Sequence, residues 1–142
     1  MDQVKIESGS IHAHLQILQS VIQRMASNSS LAKAWCITVV SAMLVIVADK
    51  SNSDFALISF IPTVLFLLVD TYYLSLEKGF RNSYNQFIDK HHANEIEKND
   101  LYAISPKGSP ARLFFEALFS PSIWPFYLTI SGMILIVWQV IF

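Results

Sequence analysis

Apolar residues run almost unbroken in three stretches of this chain and fall into helical stripes in two others. Leu31–Ala48 reads LAKAWCITVVSAMLVIVA, and Lys33 at its entry is its only charge. Phe55–Leu76 contains Pro62 and a single acid, Asp70. Trp124–Phe142, WPFYLTISGMILIVWQVIF, has no charge and gathers aromatics at its two ends, as membrane interfaces favour. A bilayer crossing takes about 20 helical residues, so each stretch predicts a transmembrane helix. Core helices of soluble proteins are also apolar, but apolar runs beyond about 18 residues exceed what a small core uses.

Between the first two spans lies DKSNSD, residues 49–54, a tight polar turn. Ahead of the first span, Ile11, Leu15, Leu18, Ile22 and Met25 recur at spacings of 4, 3, 4 and 3. That beat predicts an amphipathic helix with an apolar seam suited to another helix or another copy of the chain. Asn28, Ser29 and Ser30 are expected to interrupt it and cap the first span. Beyond the second span, Tyr73, Leu76, Phe80, Tyr84 and Phe87 continue an apolar stripe, and only Gly79 disfavours helix. One helix is therefore expected from about 55 to about 92, its far end antiparallel to the N-terminal helix. Residues 93–112 carry Ser-Pro and Gly-Ser-Pro breakers and read as a loop, followed by a short interfacial helix over Leu113–Phe119.

The predicted fold is all-α: three transmembrane helices, a hairpin plus one. An N-terminal amphipathic helix packs on a cytoplasmic extension of the second span. The division is a cytoplasmic helix within 1–30, spans at 31–48, 55–76 and 124–142, a periplasmic turn at 49–54, and a cytoplasmic extension and loop over 77–123. Basic residues orient it. Lys5, Arg24, Lys33, Lys78, Arg81, Lys90, Lys98, Lys107 and Arg112 stand on one side and Lys50 alone on the other. The N-terminus is then cytoplasmic and the C-terminus periplasmic. Thirty largely polar residues precede the first span, which argues against a cleaved signal peptide.

Composition agrees. Only 15% of the 142 residues are charged and 53% are hydrophobic, with a mean hydropathy of +0.42, whereas soluble domains carry about 25% charge. Ten Lys/Arg against eleven Asp/Glu leave no basic excess for nucleic acid. Membrane lipids and further copies of the chain are the expected partners, with a cytoplasmic protein or a signalling nucleotide as candidates. The single cysteine, Cys36, excludes an intrachain disulfide and reads as a packing residue.

Asp70 is the sharpest chemical feature, since an acid inside a membrane helix is costly and marks a functional or pairing site. Thr63, Asp70, Tyr73, Glu77 and Arg81 advance by 7, 3, 4 and 4 and share one face. Such a stripe lines a water-filled path, joins subunits, or holds neighbouring hydroxyls and lysines at head-group level. His12 and His14, two apart on a helix, do not share a face, and His91-His92 are adjacent. Neither pair makes a metal clamp alone, and both read as solvated. No nucleophile elbow, phosphate loop or dinucleotide fingerprint occurs, so neither an enzyme nor a cofactor is expected.

IHAHLQILQSVIQRM, KAWCITVVSAMLVIVADK and FIPTVLFLLVDTYYLSLEKGFRNSYNQF together resemble the SLATT group of bacterial membrane effectors, over about residues 10–92. The chain also looks like small bacterial multi-span membrane proteins of the VDTYYLSLE–FRNSYN type. The SLATT resemblance implies a membrane-disrupting or pore-forming subunit triggered during conflict such as phage infection; the third span is additional to a two-span effector. One protomer has too few spans to enclose a channel. The expectation is an oligomeric bacterial inner-membrane effector that alters permeability, and the alternative is a membrane-anchoring or regulatory subunit for a cytoplasmic partner.

Overall fold

The structure is a computed structural model and describes residues 8–50 and 54–140. All regular elements within it are helical. Helix α1 spans Ser8–Lys50, α2 Asp54–Ile58, α3 Phe60–His92, α4 Pro110–Leu118 and α5 Trp124–Val140, with a 3-10 turn at Lys98–Asp100. Two stretches are long and apolar enough to cross a membrane, Ser8–Asp49 and Ala56–His92; α5 is apolar but shorter, at 17 residues. Residues 51–53 of the expected polar turn and the last two of the expected third span lie outside the described residues.

The anticipated break at Asn28–Ser30 does not occur, and α1 is a single helix of 43 residues. Serine and asparagine weaken helices because their side chains compete for the backbone. Here the Ser29 side chain is buried and bonded to a neighbouring helix instead, so it no longer competes with its own turn. One inward stripe therefore runs the length of α1 through His14, Leu18, Ser29, Ala32, Cys36, Val40 and Val47.

Helix α3 lies antiparallel to α1. His14 meets Phe87, Gln19 meets Tyr84 and Ser29 meets Asp70, so positions rise on one helix as they fall on the other. A single residue, Ser59, separates α2 from α3 where one helix was expected. Pro62 is the cause. It has no N–H to give Ile58, and its ring crowds that carbonyl. The Ser59 N–H instead donates to the Ala56 carbonyl at 3.0 Å, closing a tighter turn. Helix α4 begins with Pro110 in its first turn, where the missing N–H costs nothing. It buries Leu113 and Ala117, and Ala117 joins a core with Cys36, Val40, Leu74, Ile123, Tyr127, Ile130 and Ile134.

The loop after α3 is strapped onto it. The Lys107 N–H donates to the Gly79 carbonyl at 2.9 Å, Ser83 Oγ to the Ser105 carbonyl at 2.5 Å and Asn82 Nδ2 to the Lys107 carbonyl at 3.1 Å. Gly79 is the notch that admits it: a Cβ there would stand 2.7 Å from the Pro106 Cβ. Gly108 turns the strap at φ +119°, a region open chiefly to glycine.

Gly79→Ala tests this fit. Alanine adds about 1 kcal/mol of helix propensity, but the rigid Pro106 ring must move, and overpacking costs about 1–3 kcal/mol. A lower Tm in detergent and faster proteolysis between 93 and 109 are expected. An unchanged or higher Tm contradicts the notch.

Candidate functional site

The polar residues that α3 buries sort by what they reach. Thr63, Thr71 and Ser75 turn their hydroxyls back onto carbonyls of their own helix, at 2.7–2.8 Å. Asp70, fully buried at 0% exposure, reaches outward. Its Oδ1 accepts from Ser29 Oγ at 2.5 Å, and its Oδ2 meets Lys33 Nζ at 2.6 Å and accepts from Tyr127 Oη at 3.2 Å. Ser29 and Lys33 lie four apart on α1 and so share a face, and Lys33 Nζ also donates to Ser29 Oγ at 3.3 Å. One carboxylate thus joins α1, α3 and α5.

This geometry suits an ionised carboxylate. Three donors surround an acceptor-only group, and the lysine, 20% exposed, neutralises it. A buried charge left unpaired is costly, whereas a paired and hydrogen-bonded one is tolerated. In the sequence Lys33 reads as a charge at the entry of a span and one of the basic residues that orient the chain, and Ser29 as a cap; neither by itself points to Asp70. The available signal was a lone cation and a lone anion in two neighbouring apolar helices.

The remaining stripe residues do not extend this cluster into one continuous line. Thr63 is buried and bonded within its helix. Tyr73 is half-buried with its ring edge against Tyr72. Glu77 accepts from Arg81 Nε at 2.8 Å, with the Arg81 side chain 61% exposed. Of the N-terminal seam, Leu18 is buried within the chain while Ile11, Leu15, Ile22 and Met25 are half-buried.

A second polar cluster lies where α1 begins and α3 ends. His14 is 2% exposed and stacks obliquely on Phe87, with ring centroids 4.3 Å apart, so it is not the solvated residue expected. Helix register overrides its polarity: it stands four residues before Leu18 on the inward stripe. Its Nδ1 accepts the Tyr102 N–H at 2.9 Å, which places the ring proton on Nε2. Tyr102 itself holds φ 63°, a left-handed conformation uncommon for a side chain of this size. Lys90 Nζ pairs with Asp100 Oδ1 at 2.7 Å, and Asp100 Oδ2 accepts the Glu97 N–H at 3.0 Å. The hydrogen bond with Lys90 holds the Asp100 carboxyl below, and the Lys90 amine above, their usual ranges. His12, His91 and His92 are exposed, and among the described residues no three His, Cys, Asp or Glu side chains form a metal-binding group.

Comparison of the chain with protein-family models, curated proteins and solved structures gives no match.

His14 makes the loop's attachment pH-dependent. Burial pushes its pKa below 6.5, against a smaller upward pull from Asp100. The folded state therefore keeps the ring neutral at pH values where the unfolded chain already protonates it. The stabilisation is complete above pH 6.5 and declines as pH falls below it. Protonation of Nδ1 also removes the acceptor for the Tyr102 N–H. Amide exchange at Tyr102 is expected to be slow at pH 7.5 and faster at pH 5.5 after correction for intrinsic rates. His14→Phe should abolish that step; equal protection at both pH values contradicts the attachment.

Proposed function

We propose that this chain is an oligomeric subunit of the bacterial inner membrane that alters membrane permeability, held closed in this structure by the Asp70 cluster. The supporting observation is an inside-out arrangement. Large apolar side chains point outward: Leu31, Trp35, Val45 and Ile46 on α1, Ile61, Val64, Leu65 and Leu68 on α3, and Leu128, Leu135 and Ile136 on α5. Asp70, Thr63, Thr71 and Ser75 point inward. Water would penalise so large an apolar surface, whereas lipid favours it and confines charge to the protein interior. In this reading α5 is the third span, and its 17 residues reach about 25 Å at 1.5 Å per residue. The exposed side of α1 carries Ala34, Thr38 and Ala42 four residues apart, a spacing that lets membrane helices approach closely.

Since one protomer cannot surround water, permeation takes several copies and a separation of Lys33 from Asp70. The resemblance to SLATT effectors supports a role in anti-phage defence. The rival reading, an anchor or regulatory subunit, is favoured by one observation. The start of α1, the end of α3 and the strapped loop form a polar platform beyond the apolar segments, and Asp70 is closed to water.

Topology is tested by reporters: one active only in the periplasm should work after Phe142 and fail after Lys98. The reverse pattern removes the cytoplasmic platform.

Permeability is tested by expressing wild type, Asp70→Asn and Glu77→Gln at matched membrane levels and following the membrane potential with a dye. Asp70→Asn leaves Lys33 without its counter-charge, at a cost of about 3 kcal/mol before allowing for its partial exposure. The cluster should loosen and depolarisation should exceed that of wild type. Glu77→Gln should match wild type, because Glu77 pairs only with an exposed arginine. No depolarisation by any of the three, with assembly intact, selects the anchoring role.

A further inference from the structure

Among the described residues, two buried side-chain polar atoms have no hydrogen-bond partner, Ser59 Oγ and Trp138 Nε1. Folded proteins leave few such atoms, and each calls for an explanation. Ser59 is 0% exposed, and Trp138 is half-buried with its indole nitrogen inside. Thr63, Thr71 and Ser75 turn their hydroxyls back onto carbonyls of their own helix, whereas Ser59 makes no such bond.

The two atoms belong to one level of the bundle. Tyr127 reaches Asp70, Leu67 lies about one cavity with Leu128 and Ser131, and α2 packs against α5. Positions on α5 therefore rise as those on α3 fall. Ser59 stands eleven residues before Asp70, and Trp138 stands eleven after Tyr127. At 1.5 Å per residue each lies about 16 Å from the Asp70–Tyr127 bond, toward the same end. Both also face inward. Ser59 keeps a helical backbone and extends the buried stripe of Thr63 and Asp70. Trp138 follows Tyr127, Ile130 and Ile134, all buried, at spacings of 3, 4 and 4.

The donor and acceptor chemistry narrows what can join them. An indole N–H only donates, so its partner must accept, which rules out a cation. An anion finds no counter-charge on the inward stripes, where Ala56, Thr63 and Ile134 are the adjoining residues, and Asp49 at the end of α1 is acidic and exposed. A serine hydroxyl both accepts and donates, and the Ile58 carbonyl receives no N–H from Pro62. A neutral group that accepts one bond and donates two satisfies all three, and water is the smallest that does; buried waters make about three such bonds. We propose that one water molecule is held between Ser59 and Trp138. It accepts from Trp138 Nε1 and donates to Ser59 Oγ and the Ile58 carbonyl. This tie fixes the bend that Pro62 creates and holds the far end of α5 to it, as Asp70 holds the near end. It does not depend on the permeability reading, and its readout is local, so the two fail separately.

The test is magnetic resonance of the full-length protein in a hydroxyl-free detergent, with its three tryptophans carrying nitrogen-15 in the indole. Trp138→Phe identifies the Trp138 signal by its loss. In a rotating-frame experiment a held water gives the indole proton a cross-peak of dipolar sign at the water frequency, and exchange with solvent gives the opposite sign. A dipolar cross-peak at Trp138 is expected in the wild type. Ser59→Ala should keep it, because the water retains the indole and the Ile58 carbonyl. Ser59→Leu fills the space and should remove it while the Trp35 and Trp124 signals stay in place. No cross-peak in the wild type, or one of exchange sign, overturns the site. Loss in Ser59→Ala overturns it too, since the signal would then come from the serine hydroxyl bonded directly to the indole. Survival in Ser59→Leu places the water elsewhere and also overturns it.

Discussion

The arrangement turns on a single carboxylate. Among the described residues Asp70 is the one group through which α1, α3 and α5 are joined by polar bonds, and in an apolar surround such bonds have little water to compete with them. Apolar packing between helices is not directional, because many rotations of a smooth helix bury similar area. The Asp70 cluster selects one. Ser29 and Lys33 must face α3 together, which sets the rotation of α1. Tyr127 must reach the same carboxylate, which sets the depth of α5. The inward stripe of α1 and the core around Cys36, Val40 and Ile134 follow from that rotation.

The same constraint links the two ends of the molecule. Once Ser29 is set against Asp70, the antiparallel register brings His14 to Phe87 and Gln19 to Tyr84. His14 is then buried beside the loop, whose Tyr102 N–H it accepts, while Lys90 holds Asp100. Gly79 admits Pro106 on the next surface of α3, so the loop is attached at two levels. A change in the membrane-level cluster that rotated α1 would carry His14 away from the loop. Coupling of this kind needs only two rigid helices and a shared register.

Much of this architecture was legible in the sequence because it rests on periodicity. The long apolar helices, the helical continuation past Tyr72 and the short helix before Pro121 each follow from spacing that a single segment carries. The unread part depends on partners. Asn28–Ser30 looks like a break until Asp70 gives Ser29 a bond, and Phe55–His92 looks like one helix unless the carbonyl that Pro62 abandons is considered. His14 reads as a solvated histidine by type, but as an inward residue once the beat of Leu18, Ser29, Ala32 and Cys36 is extended backwards. The stripe through Thr63, Asp70, Tyr73, Glu77 and Arg81 was legible as a face. What each member does on that face depends on which helix, if any, lies opposite.

The central claim, that the Lys33–Asp70 pair holds α1 against α3, is tested most directly by a double-mutant cycle on reversible unfolding in bicelles. The four proteins are wild type, Lys33→Met, Asp70→Leu and the double variant. Each single variant strands a charge in an apolar surround, whereas the double variant strands none. The account predicts that the double variant is more stable than the sum of the single losses allows, with a coupling of about 1–3 kcal/mol. Strictly additive losses would contradict it, because the two charges would then contribute independently of each other.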